Sequence, residues 1–160
     1  CGGKAYALLE KFFREFVKEA TGQEKPLYKT LEKLAGDGKA SCTGRENRKK
    51  LQIETTFDGT RVHPEQTGSI TNLSTDNFTP AAFVYGTLEG MSRELYQMYQ
   101  TIQNGTGMQI KRMIGSGNGL RKNPVLCGIV EEMFGAKLAL AECEEEAATG
   151  AALSSMQQDE

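Results

Sequence analysis

Apolar side chains recur at helical spacing from the start of the chain: Tyr6, Leu9, Phe13 and Phe16, with Leu8, Phe12 and Val17 beside them, define a helix over 3–19. Aromatics this dense predict deep burial. Thr21-Gly22 closes the helix, and a shorter one follows over 28–35 with Leu31 and Leu34 inward, stopped by Gly36-Asp-Gly38. Residues 37–50 are polar and carry Arg45, Arg48, Lys49 and Lys50, the pattern of a solvated loop. Leu51, Ile53, Thr55 and Phe57 then alternate with Gln52, Glu54 and Thr56, which predicts a half-buried strand over 51–57 turned by Asp58-Gly59. Thr79-Pro80 opens the longest helix, with Phe83, Val84, Leu88, Met91, Leu95, Met98 and Ile102 along one side. With Tyr96 and Tyr99 flanking it, this stripe reads as core packing rather than a cofactor box.

After Asn104-Gly105 the pattern changes. Ile110, Met113 and Ile114 form a brief apolar run, a strand over 110–114, that ends in the glycines 115, 117 and 119. Asn123 supplies an N-cap and Pro124 the first residue of a helix whose apolar face is Val125, Leu126, Ile129, Val130 and Met133. A third short strand is expected over 137–141. A final helix starts near Glu144, with Glu144, Glu145 and Glu146 in the turn where negative charge suits the helix dipole. Its Ala147, Ala148, Gly150, Ala151 and Ala152 permit tight packing, and the tail from Met156 is expected to fray.

Strand, glycine-rich loop and capped helix in that order suit an anion or nucleotide, because glycine lets backbone approach a ligand and a helix start favours negative charge. The same order also describes an ordinary strand-to-helix turn. The loop is neither a G-x-G-x-x-G fingerprint nor a Walker loop, so spacing alone leaves both readings open.

Composition narrows the chemistry. A net charge of -2 with both signs interspersed argues against nucleic acid or a membrane surface as the main partner, and no stretch is long enough to span a bilayer. Cys1, Cys42, Cys127 and Cys143 lack C-x-x-C spacing, and His63 is the only histidine. Zinc and a disulfide framework are therefore poorly supported, and reduced cytosolic thiols are the expectation. His63 sits beside Pro64 with no ligand or base in sequence reach, which favours loop packing over acid–base work. Glu89 reads either as a functional carboxylate or as a helix-surface acid tied to a neighbour. The start at Cys1, running through Gly2-Gly3 straight into an apolar helix, suggests part of a larger architecture.

Several separated motifs resemble the end of FGGY carbohydrate kinases. These are Gly2-Gly3 opening a helix; Phe57-Asp-Gly-Thr-Arg61 with Pro64 and the run 68–73; Leu88-Glu89-Gly90 in a long helix; residues 114–120 as Ile-Gly-Ser-Gly-Asn-Gly-Leu; and the run 146–153 as Glu-Ala-Ala-Thr-Gly-Ala-Ala-Leu. The Gly-Ser-Gly-Asn form looks most like sedoheptulokinases. The resemblance implies an α/β fold, the actin-like, ribonuclease-H-like ATPase lobe, incomplete at its N-terminal side, with 1–160 forming most of the C-terminal nucleotide-binding lobe.

It further implies an ATP-dependent, cytoplasmic kinase with Mg²⁺ as accessory ion, acting on a ketose such as sedoheptulose; xylulose, glycerol or another polyol is the alternative acceptor. A second alternative is a nucleotide-binding or interaction lobe without activity of its own. By the same likeness Gly3, Gly117, Asn118, Gly119 and Asn123 face the nucleotide, with Arg121 as the alternative to Asn123. Ala7 departs from the polar residue that relatives place one turn after Gly3, which removes a side-chain contact there. The resemblance places the catalytic aspartate and the main sugar contacts upstream of Cys1, so no catalytic residue is assigned. The partners implied are an adenine nucleotide and, through the missing lobe, a sugar. Strands lacking their neighbours leave an exposed edge and an uncovered apolar face, from which association, such as a homo-oligomer, or poor solubility of the isolated piece is expected.

Overall fold

Helix α1, Gly2–Thr21, ends where the sequence predicts, at Gly22 with φ +69°, whose N–H donates to the Lys18 carbonyl at 2.8 Å. The computed structural model describes residues 2–42, 50–60 and 63–141. They fall into two compact units, one up to Gly107 and the other from Met108.

In the first unit α1 buries Ala5 and Glu10, whereas Phe12 and Phe16 are 65% and 70% exposed. The expected deep burial of all the aromatics is thus corrected. Residues 8, 12 and 16 lie four apart on one flank, and the helix has another flank to bury. Helix α2, Tyr28–Cys42, runs straight through the Gly36-Asp-Gly38 that was expected to stop it. Leu31, Ala35, Gly38 and Cys42 make a continuous buried line, and Leu27 extends it upstream. A Cβ on Gly38 would lie 2.3 Å from the Ala81 carbonyl oxygen and 2.6 Å from Tyr85 Cβ, so glycine here is a packing device, not a terminator.

Its partner is α3, Pro80–Thr106, begun by Thr79, whose hydroxyl accepts from Ala82 N–H at 3.2 Å, and closed by Gly107 with φ +70°. The first half of α3 is buried nearly all round, including Val84, Tyr85, Leu88 and Ser92, while Leu95, Met98 and Ile102 are exposed. The expected stripe is core only up to Met91. Strand β1, Gln52–Glu54, crosses α3 at Gly86 and Gly90; a Cβ on Gly90 would stand 2.1 Å from the Ile53 carbonyl oxygen. β1 is shorter than 51–57 and pairs antiparallel with β2, Ser69–Thr71, placing Ile53 opposite Ile70. Between β2 and α3 the fully buried Asn77 accepts from Ser74 N–H and donates to the Asn72 carbonyl, holding the loop that feeds the helix.

The second unit is a strand–helix–strand crossover. β3, Met113–Gly115, starts later than expected and pairs parallel with β4, Leu138–Leu140, in the register Met113 with Leu138 and Gly115 with Leu140. Between them lie α4, Asn118–Arg121, a turn of helix where an irregular loop was expected, and α5, Pro124–Phe134, which buries Leu126, Ile129 and Val130 and ends at Gly135 with φ +62°. Parallel pairing requires such a crossover, since a hairpin cannot return a strand in the same direction. The helix expected from Glu144, its small-residue run, and Arg45, Arg48, Lys49 and Arg61 lie outside the described residues.

Candidate functional site

The glycines between β3 and α5 are there for different reasons. Gly115 is buried in the strand, and a Cβ there would meet Leu120 Cδ1 at 2.7 Å and Leu138 Cδ1 at 3.0 Å. Its open side is therefore already filled, so the expectation that the glycines of this loop let backbone approach a ligand does not hold at Gly115. Gly117 caps α4 with φ +91° and ψ 156°, a backbone conformation that side chains disfavour, and nothing stands within 4 Å of the place a Cβ would occupy. Gly119, inside α4, is equally open, and Asn118 beside it is exposed. The space over 117–119 is clear. Glycine inside a helix costs about 1 kcal/mol relative to alanine, and no neighbour in the described residues requires it at 119.

Asn123 is 6% exposed, and its Oδ1 accepts from Leu126 N–H at 3.0 Å while its backbone carbonyl accepts from Cys127 N–H at 3.2 Å. With Pro124 lacking a donor, the start of α5 is largely satisfied from within. The cap expected from sequence is present, and it commits the side-chain oxygen that the family likeness aims at a nucleotide. Arg121, the alternative, is half-buried at the end of α4. The far end of α5 is tied to β4 by Glu131, whose carboxylate accepts from Leu138 N–H at 2.9 Å and pairs with Lys137 at 3.5 Å. That N–H bond, followed by the Lys137 charge, holds the Glu131 carboxyl below its ordinary range. Burial and then the Glu131 charge push the Cys127 thiol up.

Gly3 belongs to the first unit, exposed in the first turn of α1 with nothing within 4 Å of a built Cβ. Ala7 is exposed one turn on. Open helical glycines also occur at Gly36, Gly105 and Gly128, so openness by itself does not mark a site.

Sequence reasoning under-read Glu89. It is not a surface acid: the residue is 9% exposed, its Oε1 makes a close ion pair with Lys50 Nζ, and its Oε2 lies 3.8 Å from Arg93, which reaches Glu54 at 3.6 Å. Lys50 also stands over the Tyr85 ring at 5.7 Å. The network ties the end of the basic run and β1 to α3. The i,i+4 pair Glu89/Arg93 was visible in sequence, but its partners arrive only through β1. His63 is exposed in a turn where its N–H donates to Thr60 Oγ1 and its carbonyl accepts from Thr60 N–H, a loop role as expected.

Residues 4–157 match the FGGY family of carbohydrate kinases, C-terminal domain. The chain belongs to this family. It has the actin-like, ribonuclease-H-like ATPase fold of that domain, and solved structures agree with it. Xylulose kinase from Rhodospirillum rubrum superposes with a TM-score of 0.66 at 22% identity, over 86% of this chain and 25% of that one. Xylulose kinase from Bifidobacterium adolescentis gives 0.61 at 21%, over 81% and 24%. A xylulose kinase from Brucella ovis gives 0.59 at 16%, over 81% and 25%. The chain therefore spans about a quarter of the length of these kinases. No curated protein sequence matches it.

The FGGY family uses ATP with a divalent metal. The clear backbone over 117–119 fits a nucleotide's approach. For the metal, no group of three or more His, Cys, Asp or Glu side chains comes together among the described residues, so these residues supply no cage and no step is assigned to the ion.

Proposed function

We propose that this chain is the nucleotide-side part of the C-terminal lobe of an ATP-dependent carbohydrate kinase, acting in the cytoplasm on a ketose. The observation that carries the reading is the family match over 4–157 combined with clear space above Gly117 and Gly119. In it the backbone of Gly117, Asn118 and Gly119 runs alongside the adenine nucleotide. Asn123 contributes by fixing the start of α5 beneath the loop, since its side-chain oxygen is already engaged.

The chain's part in phosphoryl transfer is to hold and orient the donor, which matters because this chemistry depends chiefly on positioning and charge stabilisation. The base that accepts the sugar hydroxyl's proton and the sugar pocket are assigned to the rest of the kinase. Sedoheptulose as acceptor is supported by the Gly-Ser-Gly-Asn form of the loop. A second reading, xylulose, is supported by the solved relatives, which are described as xylulose kinases.

The test is calorimetric titration of ADP into the chain and into Gly119→Leu. A Cβ at 119 meets no neighbour and leucine suits a helix, so the fold should be kept, with circular dichroism unchanged as the control. Affinity should fall at least roughly tenfold if the nucleotide passes over residue 119, a loss of about 1.4 kcal/mol. Equal affinity in both proteins would remove the loop from the site.

A further inference from the structure

The chain carries two Asn-Gly pairs, Asn104-Gly105 and Asn118-Gly119, and all four residues are exposed. In such a pair the side-chain carbonyl carbon can reach the backbone nitrogen of the next residue, because glycine has no side chain to obstruct the approach. Neither glycine has anything within 4 Å of a built Cβ. What separates the two pairs is the backbone. Gly105 lies inside α3, where helical bonding directs its N–H to the carbonyl four residues back. The end of that helix is fastened twice more, by Gly107 N–H on the Gln103 carbonyl at 2.7 Å and by Thr106 Oγ1 on the Ile102 carbonyl at 2.7 Å.

Gly119 is held differently. It is the second residue of α4, a stretch of 4 residues whose N-cap, Gly117, makes no side-chain capping bond. Its N–H therefore has no acceptor among the described residues. Asn118 is tied only through its carbonyl, which accepts from Lys122 N–H at 3.1 Å. Attack on Asn118 Cγ requires that residue to leave its helical ψ. Opening a single short turn breaks few bonds, whereas the same change at Asn104 breaks the last turn of a 27-residue helix together with its closing bonds.

We propose that Asn118 is a self-modification site, converted by its neighbour's backbone through a cyclic imide. The Gly119 amide gives its proton to solvent, its nitrogen bonds to Asn118 Cγ, and Nδ2 leaves as ammonia. Water then opens the ring. Addition at Cγ leaves an aspartate, and addition at the main-chain carbonyl leaves an isoaspartate whose backbone runs through the side chain. Each conversion consumes a water, releases an ammonia and needs no oxidant or cofactor. Either product sets a carboxylate in the loop that the proposed function runs alongside the nucleotide. A loss of nucleotide affinity on conversion rests on that reading; the conversion itself does not.

Incubation of the 160-residue chain in mildly alkaline buffer, with tryptic peptides 94–111 and 113–121 read by mass spectrometry, follows the two sites separately. Residue 118 should convert at least roughly tenfold faster than residue 104 in the folded chain, and the gap should close in denaturant, where backbone structure no longer distinguishes them. Gly119→Ala, whose Cβ meets no neighbour, should slow conversion at 118 at least roughly tenfold and leave 104 unchanged. Equal rates at the two sites in the folded chain overturn the proposal. So does a gap that persists in denaturant, or a Gly119→Ala chain that converts at 118 as fast as the parent.

Discussion

Glycine 38 shows how one residue type carries opposite meanings along the chain. Its missing Cβ lets α3 approach to where an alanine would meet the Ala81 oxygen, so Gly38→Ala should cost about 1–3 kcal/mol. Gly128→Ala, inside α5 with nothing within 4 Å, should instead stabilise by up to about 1 kcal/mol. Denaturant unfolding of the two variants checks the opposite signs. Cys42 is equally dependent on its surroundings. Fully buried, with its thiol donating to the Ala82 carbonyl, it is pushed up to about 11 by burial and then by the Glu89 charge. Its thiol should stay protonated and resist alkylation at neutral pH until the protein unfolds; alkylation at native rates equal to a free thiol would contradict this. Glu131 titrates in the other direction. Its folded value lies below its ordinary one, so the stability it adds is present above that ordinary value and disappears as pH falls through the folded value. The melting-temperature gap between the wild-type chain and Glu131→Gln should therefore narrow on acidification below about pH 4.

At the scale of elements, local punctuation was legible wherever the partner is the element's own backbone. Thr79-Pro80 and Asn123-Pro124 begin helices as read, because a side-chain oxygen capping the third residue on is a contact within one turn. Removing one cap, Asn123→Ala, should destabilise by about 1 kcal/mol in thermal unfolding. Helix α2 went the other way: Gly36 and Gly38 argue for a stop, yet burial of Gly38 and Cys42 against α3 outweighs the propensity cost of two glycines. The strand over 51–57 shortened to Gln52–Glu54 because Phe57 turns over Gly68, and β2 was not predicted as a strand because Ser-Ile-Thr is too short to show alternation. Glu89 ties α3 to Lys50, just ahead of β1, and through Arg93 to Glu54 of β1. Glu89→Ala should cost about 2 kcal/mol by stranding a partly buried lysine.

At the scale of the whole molecule, the chain is a family domain spanning about a quarter of the solved kinases, and Phe12, Phe16, Leu95 and Met98 are exposed on it. On the proposed function, sugar-dependent ATP consumption by the chain alone should be undetectable, because the acceptor's base and pocket are assigned elsewhere; measurable turnover in a coupled assay would refute that division. Among the described residues no helix is long and apolar enough to cross a membrane.

The caps at Thr79 and Asn123, the order strand, glycine loop, capped helix, strand towards the end of the chain, and the family to which the motifs belong were legible in sequence alone, because each rests on contacts within a few residues or on an ordered series of them. Which glycines are filled and which stand clear, where α2 ends, and that Phe12 and Phe16 face outward while Glu89 is enclosed were decided only by tertiary structure. A missing Cβ is silent about what approaches it. That neighbour comes from a residue far along the chain, as Ile53 does for Gly90 and Leu138 for Gly115.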